Sequence, residues 1–138
     1  MLSVRTGLIA AATAVFALAG LVAPAPASAA PQVGACYAYK AAVLKDVSST
    51  APAIDCSATH TAETYYVGTV PDSFGLPSQA SPARILSAGD PCTVAAMNAY
   101  LGMPDRVLPS RFRTVVLFPT DQQWAAGERW VRCDTVLN

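Results

Sequence analysis

A chain of 138 residues with nine Lys/Arg, nine Asp/Glu, one histidine and four cysteines has room for one small domain and little more. Its zero net charge removes the electrostatic case for nucleic acid, which requires a basic face. The hydrophobic content of 53% is inflated by the amino-terminal stretch and does not mark the rest of the chain as a membrane protein.

That stretch reads as a signal peptide over residues 1–30. Arg5 is a positive start, residues 7–23 form an uncharged Ala/Leu/Val-rich run, Pro24 and Pro26 break it, and Ala27-Ser28-Ala29 supplies small residues for cleavage. The run is roughly 17 residues, short of the ~20 that a span needs, and no basic stop-transfer cluster follows. Val33-Gly34-Ala35-Cys36 loosely resembles a lipid-attachment box, but residues 24–32 separate it from the apolar run, and using Cys36 would leave an odd number of cysteines. The expectation is a secreted domain over residues 31–138, without stable membrane insertion after cleavage. Losing Arg5 leaves eight basic residues against nine acidic ones.

Along the mature part, Cys36-Tyr37-Ala38-Tyr39 is a predicted strand with alternating aromatics. Residues 45–52 are polar turn material, and Ala53-Ile54-Asp55-Cys56 is a short partner strand closing a hairpin. Residues 64–70 are dense in β-branched and aromatic side chains and form a predicted central strand, with Tyr65, Val67 and Thr69 on one face and Tyr66 and Val70 on the other. Residues 72–88 carry Gly75, Pro77, Pro82 and several serines without periodicity, and read as a long covering loop pinned by Phe74, Leu76, Ile85 and Leu86.

Asp90-Pro91 signals an N-cap followed by proline at the first helical position, so a helix is predicted over residues 92–101, stopping at Gly102. Its apolar face is Cys92, Ala95, Ala96, Ala99 and Tyr100. After a loop at residues 105–110 comes a strand over 111–118. Thr120 through Gln123 is a capping box opening a brief second helix that Gly127 can end, and residues 128–134 are the last strand. The fold class is α+β: a small antiparallel sheet, one main helix, a short second helix and two disulfides.

Four cysteines in an exported chain imply two disulfides, with three possible pairings. Cys36–Cys56 and Cys92–Cys133 are favoured because each closes one local subregion. On the loop-entropy model they stabilise by about 3 and about 4 kcal/mol. A zinc site would need close pairs of ligands, and none of these spacings provides one.

The chain contains no phosphate loop, dinucleotide fingerprint, zinc-protease helix or nucleophile elbow. Any triad would have to use His60, and Ser57 beside it in sequence says nothing about space. His60 is expected to fix the turn into the following strand through its ring, with Glu63 pairing with it or with an arginine. Trp124 and Trp130 read as packing residues, and Arg111 and Arg113 as a solvated strand face. No catalytic, cofactor or metal residues are assigned; His60, Glu63 and Trp124 remain the positions of possible functional interest.

Gly34-x-Cys36-Tyr37, Cys56-x-x-x-His60-x-x-Glu63, Cys92, Tyr100 and Pro119…Trp124-x-x-Gly127-x-Arg129-x-x-x-Cys133 together resemble the septum formation-related domain family of high-GC Gram-positive bacteria. Thr59 stands where the family commonly has proline, and Ala35 where an acidic residue is usual. The resemblance implies an exported, non-catalytic module linked to septation and the cell envelope, with no cofactor. The expected partner is wall material or another exported protein, bound by a monomer. The rival readings are a small secreted enzyme using His60 and Glu63, and a secreted protease inhibitor offering residues 72–88 as its loop.

Overall fold

The computed structural model describes residues 29–40, 47–103 and 111–138; the expected signal sequence up to residue 28, the first two residues of the polar turn at 45–52 and the loop at 105–110 lie outside them. Four strands form one antiparallel sheet: β1 (Cys36–Tyr37), β2 (Ala62–Thr69), β3 (Phe112–Leu117) and β4 (Trp130–Leu137), in the order β1-β2-β4-β3. Three helices accompany it: α1 (Pro82–Ala88), α2 (Val94–Tyr100) and α3 (Asp121–Ala125). The α+β class holds, and so do both favoured disulfides, with Cα separations of 5.3 Å for Cys36–Cys56 and 5.2 Å for Cys92–Cys133.

β4 is an inner strand, and all but its last residue are buried. Both of its faces are covered, so its sequence shows no clean alternation of apolar and polar residues. Val131 joins a cluster with Val70, Phe74, Phe118 and Trp124. Cys133 joins Tyr65, Cys92 and Met97 under α2. Val136 packs with Tyr37 and Ala62.

The hairpin predicted between residues 36–39 and 53–56 is reduced to one bridge, Cys36 to Ile54. Asp55 starts a side-chain turn, accepting from Ser57 N at 2.8 Å, which stops the segment from extending as a strand. β1 pairs with β2 instead. In β2 the predicted faces fail after Thr64. Thr64 sits opposite Asp134 and Tyr66 opposite Cys133, leaving Tyr65 as an extra residue. Such a bulge rotates the strand by one position, so Tyr65 and Tyr66 both pack in the cluster under α2.

Residues 72–88 are not an irregular loop. They hold two single 3₁₀ turns, Asp72–Phe74 and Pro77–Gln79, followed by α1. Ser81 caps α1 by accepting from Arg84 N, with Pro82 at the first helical position. The start signal is therefore the same type as the one read at Asp90-Pro91, but seven residues are too few to show a period. Phe74 is buried and Ile85 packs on its cluster, whereas Leu76 and Leu86 are exposed and pin nothing.

Asp90 and Pro91 do not start α2. Thr93 is its N-cap, accepting from Ala96 N at 3.0 Å, while residues 89–92 close a turn with Cys92 N donating to Gly89 O at 2.7 Å. Cys92 thus precedes the helix and reaches Cys133 from the end of that turn. The buried helix residues are Met97 and Asn98, with Ala95, Ala99 and Tyr100 outward. Gly102 ends the helix as expected, at φ +70, with Met103 N bonded to Asn98 O and Gly102 N to Ala99 O, the paired bonds of a Schellman ending. The Thr120/Gln123 capping box is formed in both directions.

Gly89, after α1, lies against β3: a Cβ there would sit 2.8 Å from Val116 Cγ2 and 3.1 Å from Ile85 O. Gly89→Ala is expected to destabilise the oxidised protein by roughly 1–3 kcal/mol through overpacking, measured by denaturant unfolding; an unchanged midpoint would contradict the close approach. Cys92→Ala/Cys133→Ala should cost about 4 kcal/mol in the same assay.

Candidate functional site

The chemistry-bearing residues singled out in the sequence do not all meet. His60 and Glu63 sit at the start of β2, and Cys36 in β1 lies opposite Glu63 in register. A sulfur of Cys36, a ring nitrogen of His60 and a carboxylate oxygen of Glu63 lie within 4.8 Å of one another. The Cys36 sulfur is bonded to Cys56 and has no thiolate to offer a metal. In the oxidised protein the trio therefore supplies two ligand side chains, against three or four in zinc sites.

His60 Nδ1 lies 2.9 Å from Ala58 O. A carbonyl only accepts, so Nδ1 carries the proton and donates, tying the ring to its own turn as the sequence reading expects. Glu63 takes the phenolic O–H of Tyr100 at the end of α2 rather than an arginine. Burial, followed by the hydrogen bond to and charge of Glu63, pushes the Tyr100 phenol up to about 12. These contacts lock loop, strand and helix together. Among the described residues they bring no hydroxyl or free thiol to the imidazole.

Trp124 lies elsewhere. It is buried in the cluster with Phe74 and Phe118, and the Arg129 guanidinium sits 3.8 Å over its ring. Arg129 also pairs with Asp72 at 2.7 Å and donates to Trp124 O. Its ring is thus consumed by packing and by a cation–π contact, with no open face for a ligand.

A second group was not singled out in the sequence. Asp134 is fully buried. Its Oδ1 accepts from Thr64 Oγ1 at 2.6 Å and its Oδ2 from Tyr39 OH at 2.5 Å. Arg132 Nε lies 3.2 Å from Oδ2, an ion pair too poorly aligned to be a hydrogen bond, and Arg132 Nε and Nη2 are buried without a hydrogen-bond partner. The guanidinium carbon stands 4.0 Å over the Tyr37 ring and 5.7 Å from that of Trp130. The only hint in the sequence is the i, i+2 placement of opposite charges in an otherwise strand-like segment, which puts both on one face.

Comparison with known families finds a match between residues 90–138 and the family described as Septum formation. The match covers α2, β3, α3 and β4, including Cys92, Trp124, Arg132, Cys133 and Asp134. No curated protein and no solved structure matches the chain.

Burial, reinforced by the charge and hydrogen bond of Asp134, also raises the Tyr39 phenol far above its ordinary value. A folded value above the unfolded one, about 10 for tyrosine, gives stability that is complete below pH ~10 and lost as pH rises further, because the unfolded chain releases its protons first. The thermal midpoint should therefore fall from pH ~10 upward, with the Tyr100 share lost between about 10 and about 12. Tyr39→Phe should cost roughly 1–3 kcal/mol at neutral pH by leaving a buried carboxylate oxygen short of a donor, and should flatten the alkaline limb. In spectrophotometric titration, Glu63→Gln should bring the Tyr100 transition down; an unmoved transition would contradict the Tyr100–Glu63 bond.

Proposed function

We propose that this is an exported, non-catalytic binding domain of the cell envelope that takes part in septum formation, engaging wall material or another exported protein. The observation that carries the septum role is the match of residues 90–138 to the Septum formation family. The extracellular setting is supported by two disulfides that use all four cysteines, since such bonds persist in oxidising compartments. Binding rather than catalysis is supported by His60, whose ring is bonded to its own turn, and by Glu63, which is engaged by Tyr100.

The enzyme reading draws on the closeness of His60 and Glu63 and makes a different prediction. If His60 serves only the turn, His60→Ala costs about 1 kcal/mol, the worth of one hydrogen bond, and septum function follows the thermal midpoint. Loss of function at an unchanged midpoint would favour chemistry. The inhibitor reading offered residues 72–88 as its exposed loop, and α1 and two 3₁₀ turns stand there.

Depleting the protein in its producing organism under envelope stress is expected to delay or misplace division septa, scored by imaging labelled wall synthesis. Septa of normal timing and placement would overturn the septum role. The protein should be recovered from the culture or envelope fraction with no thiol open to alkylation before reduction.

A further inference from the structure

We propose that reduction of the Cys36–Cys56 bridge turns the junction of β1 and β2 into a zinc site with four protein ligands, Cys36, Cys56, His60 and Glu63. The Cys36 sulfur, a His60 ring nitrogen and a Glu63 carboxylate oxygen lie within 4.8 Å of one another, and Cys56 is bonded to that sulfur. Ligand atoms on one tetrahedral zinc stand about 3.3–3.8 Å apart, so the side chains have little distance to close. In the oxidised protein it is the bridge that withholds the two thiolates. Once it opens, the sulfurs have only to part to about 3.8 Å, a side-chain rotation between Cα atoms 5.3 Å apart.

The other two ligands are already oriented. His60 Nδ1 donates to Ala58 O at 2.9 Å, which leaves Nε2 with the lone pair that a metal takes. A backbone carbonyl on the opposite ring nitrogen is the usual support of a ligating imidazole. Glu63 accepts from the Tyr100 hydroxyl, the corresponding support for a ligating carboxylate. Two thiolates, one imidazole and one carboxylate suit zinc, whereas magnesium and calcium take oxygen ligands. With all four positions filled by protein, the bound ion clamps β1 to β2 in place of the bridge and leaves no open position for catalysis.

Exposure selects which bridge opens. Cys56 is exposed, whereas Cys92 and Cys133 are 9% and 0% exposed. The thiolate of a dithiol reductant attacks Cys56 Sγ, forming a mixed disulfide and releasing Cys36 as a thiolate. The reductant's second thiol then closes its own disulfide and releases Cys56. Two electrons pass from the dithiol to the bridge and its two protons go to the two cysteines, from which zinc displaces them on binding. None of these steps rests on the septum role.

The test starts from the oxidised, folded protein, treated with dithiothreitol and freed of it without air. Mass mapping of alkylated thiols is expected to find Cys36 and Cys56 open well before Cys92 and Cys133; simultaneous opening of both bridges would overturn the proposal. Co²⁺ alone, followed by Zn²⁺, is then titrated into each redox form. The reduced protein should take up one Co²⁺ with the thiolate charge-transfer band and intense visible bands of a tetrahedral site, and Zn²⁺ should displace it. The oxidised protein should bind either ion at least a hundredfold more weakly. His60→Ala and Glu63→Gln, each folded with its bridge closed and then reduced, should each weaken Zn²⁺ at least tenfold, a loss that ligation by two thiolates alone would not show. Cys36→Ser/Cys56→Ser should bind neither ion; if it fails to fold, the His60 and Glu63 variants decide. Equal affinity in the two redox forms, no tetrahedral spectrum, or full affinity in either single variant would each overturn the proposal.

Discussion

The structure depends on how the fully buried carboxylate of Asp134 is satisfied. An ionised carboxylate inside a small domain is tolerated only when donors or an opposite charge surround it, and here two hydroxyl donors and one cation come from three places. Thr64 reaches it from β2, Tyr39 from the chain leaving β1, and Arg132 from β4 itself. Meeting that requirement draws the amino-terminal segment of the domain against the sheet, although β1 is only two residues long and could not hold itself there by ladder bonds. With Tyr39 in place, Cys36 lies in register opposite Glu63, within reach of Cys56. The polar centre and the first disulfide thus support one another.

Cys133 stands between Arg132 and Asp134, and the alternation of a strand sends it to the opposite face. One tripeptide therefore serves the charged centre on one side and the disulfide to Cys92 on the other. Among the described residues the apolar interior is divided into three modest clusters instead of one large core. For a chain of this size that is thin support, which gives the cross-links at Cys36–Cys56 and Cys92–Cys133 a large part in holding the clusters in mutual register.

What could be read from the residues was whatever is decided locally. The Thr120/Gln123 capping box, the glycine stops at 102 and 127 and the strand leading to Pro119 depend on neighbours in sequence, and all appear in the fold; the cysteine pairing, across 20 and 41 positions, followed instead from the subregion that each bridge closes. The losses occurred where distant parts decide. The Tyr65 bulge arises from matching β2 to β4, and no pattern within β2 announces it. The start of α2 moved from Asp90 to Thr93, with Cys92 in the turn before it bonded to β4. Helix α1 escaped notice because seven residues with exposed Leu86 show no apolar face. At the site, His60 was placed correctly at its turn, but Tyr100 as the partner of Glu63 and the cluster around Arg132 join residues 37 to 95 positions apart, a separation that single-sequence patterns do not encode.

Among the described residues, strand β3 closes the sheet on one side with its outer edge bridged at Ser48–Phe118 alone, the kind of border along which chains can stack into aggregates. Arg111 and Arg113 are exposed there, and the far end of the strand is bridged by Ser48 to Phe118. A second molecule approaching strand-to-strand would meet two like charges facing its own pair, and a blocked terminus. Like charges on an exposed edge guard solubility in this way, resisting conversion of a half-finished sheet into a fibre.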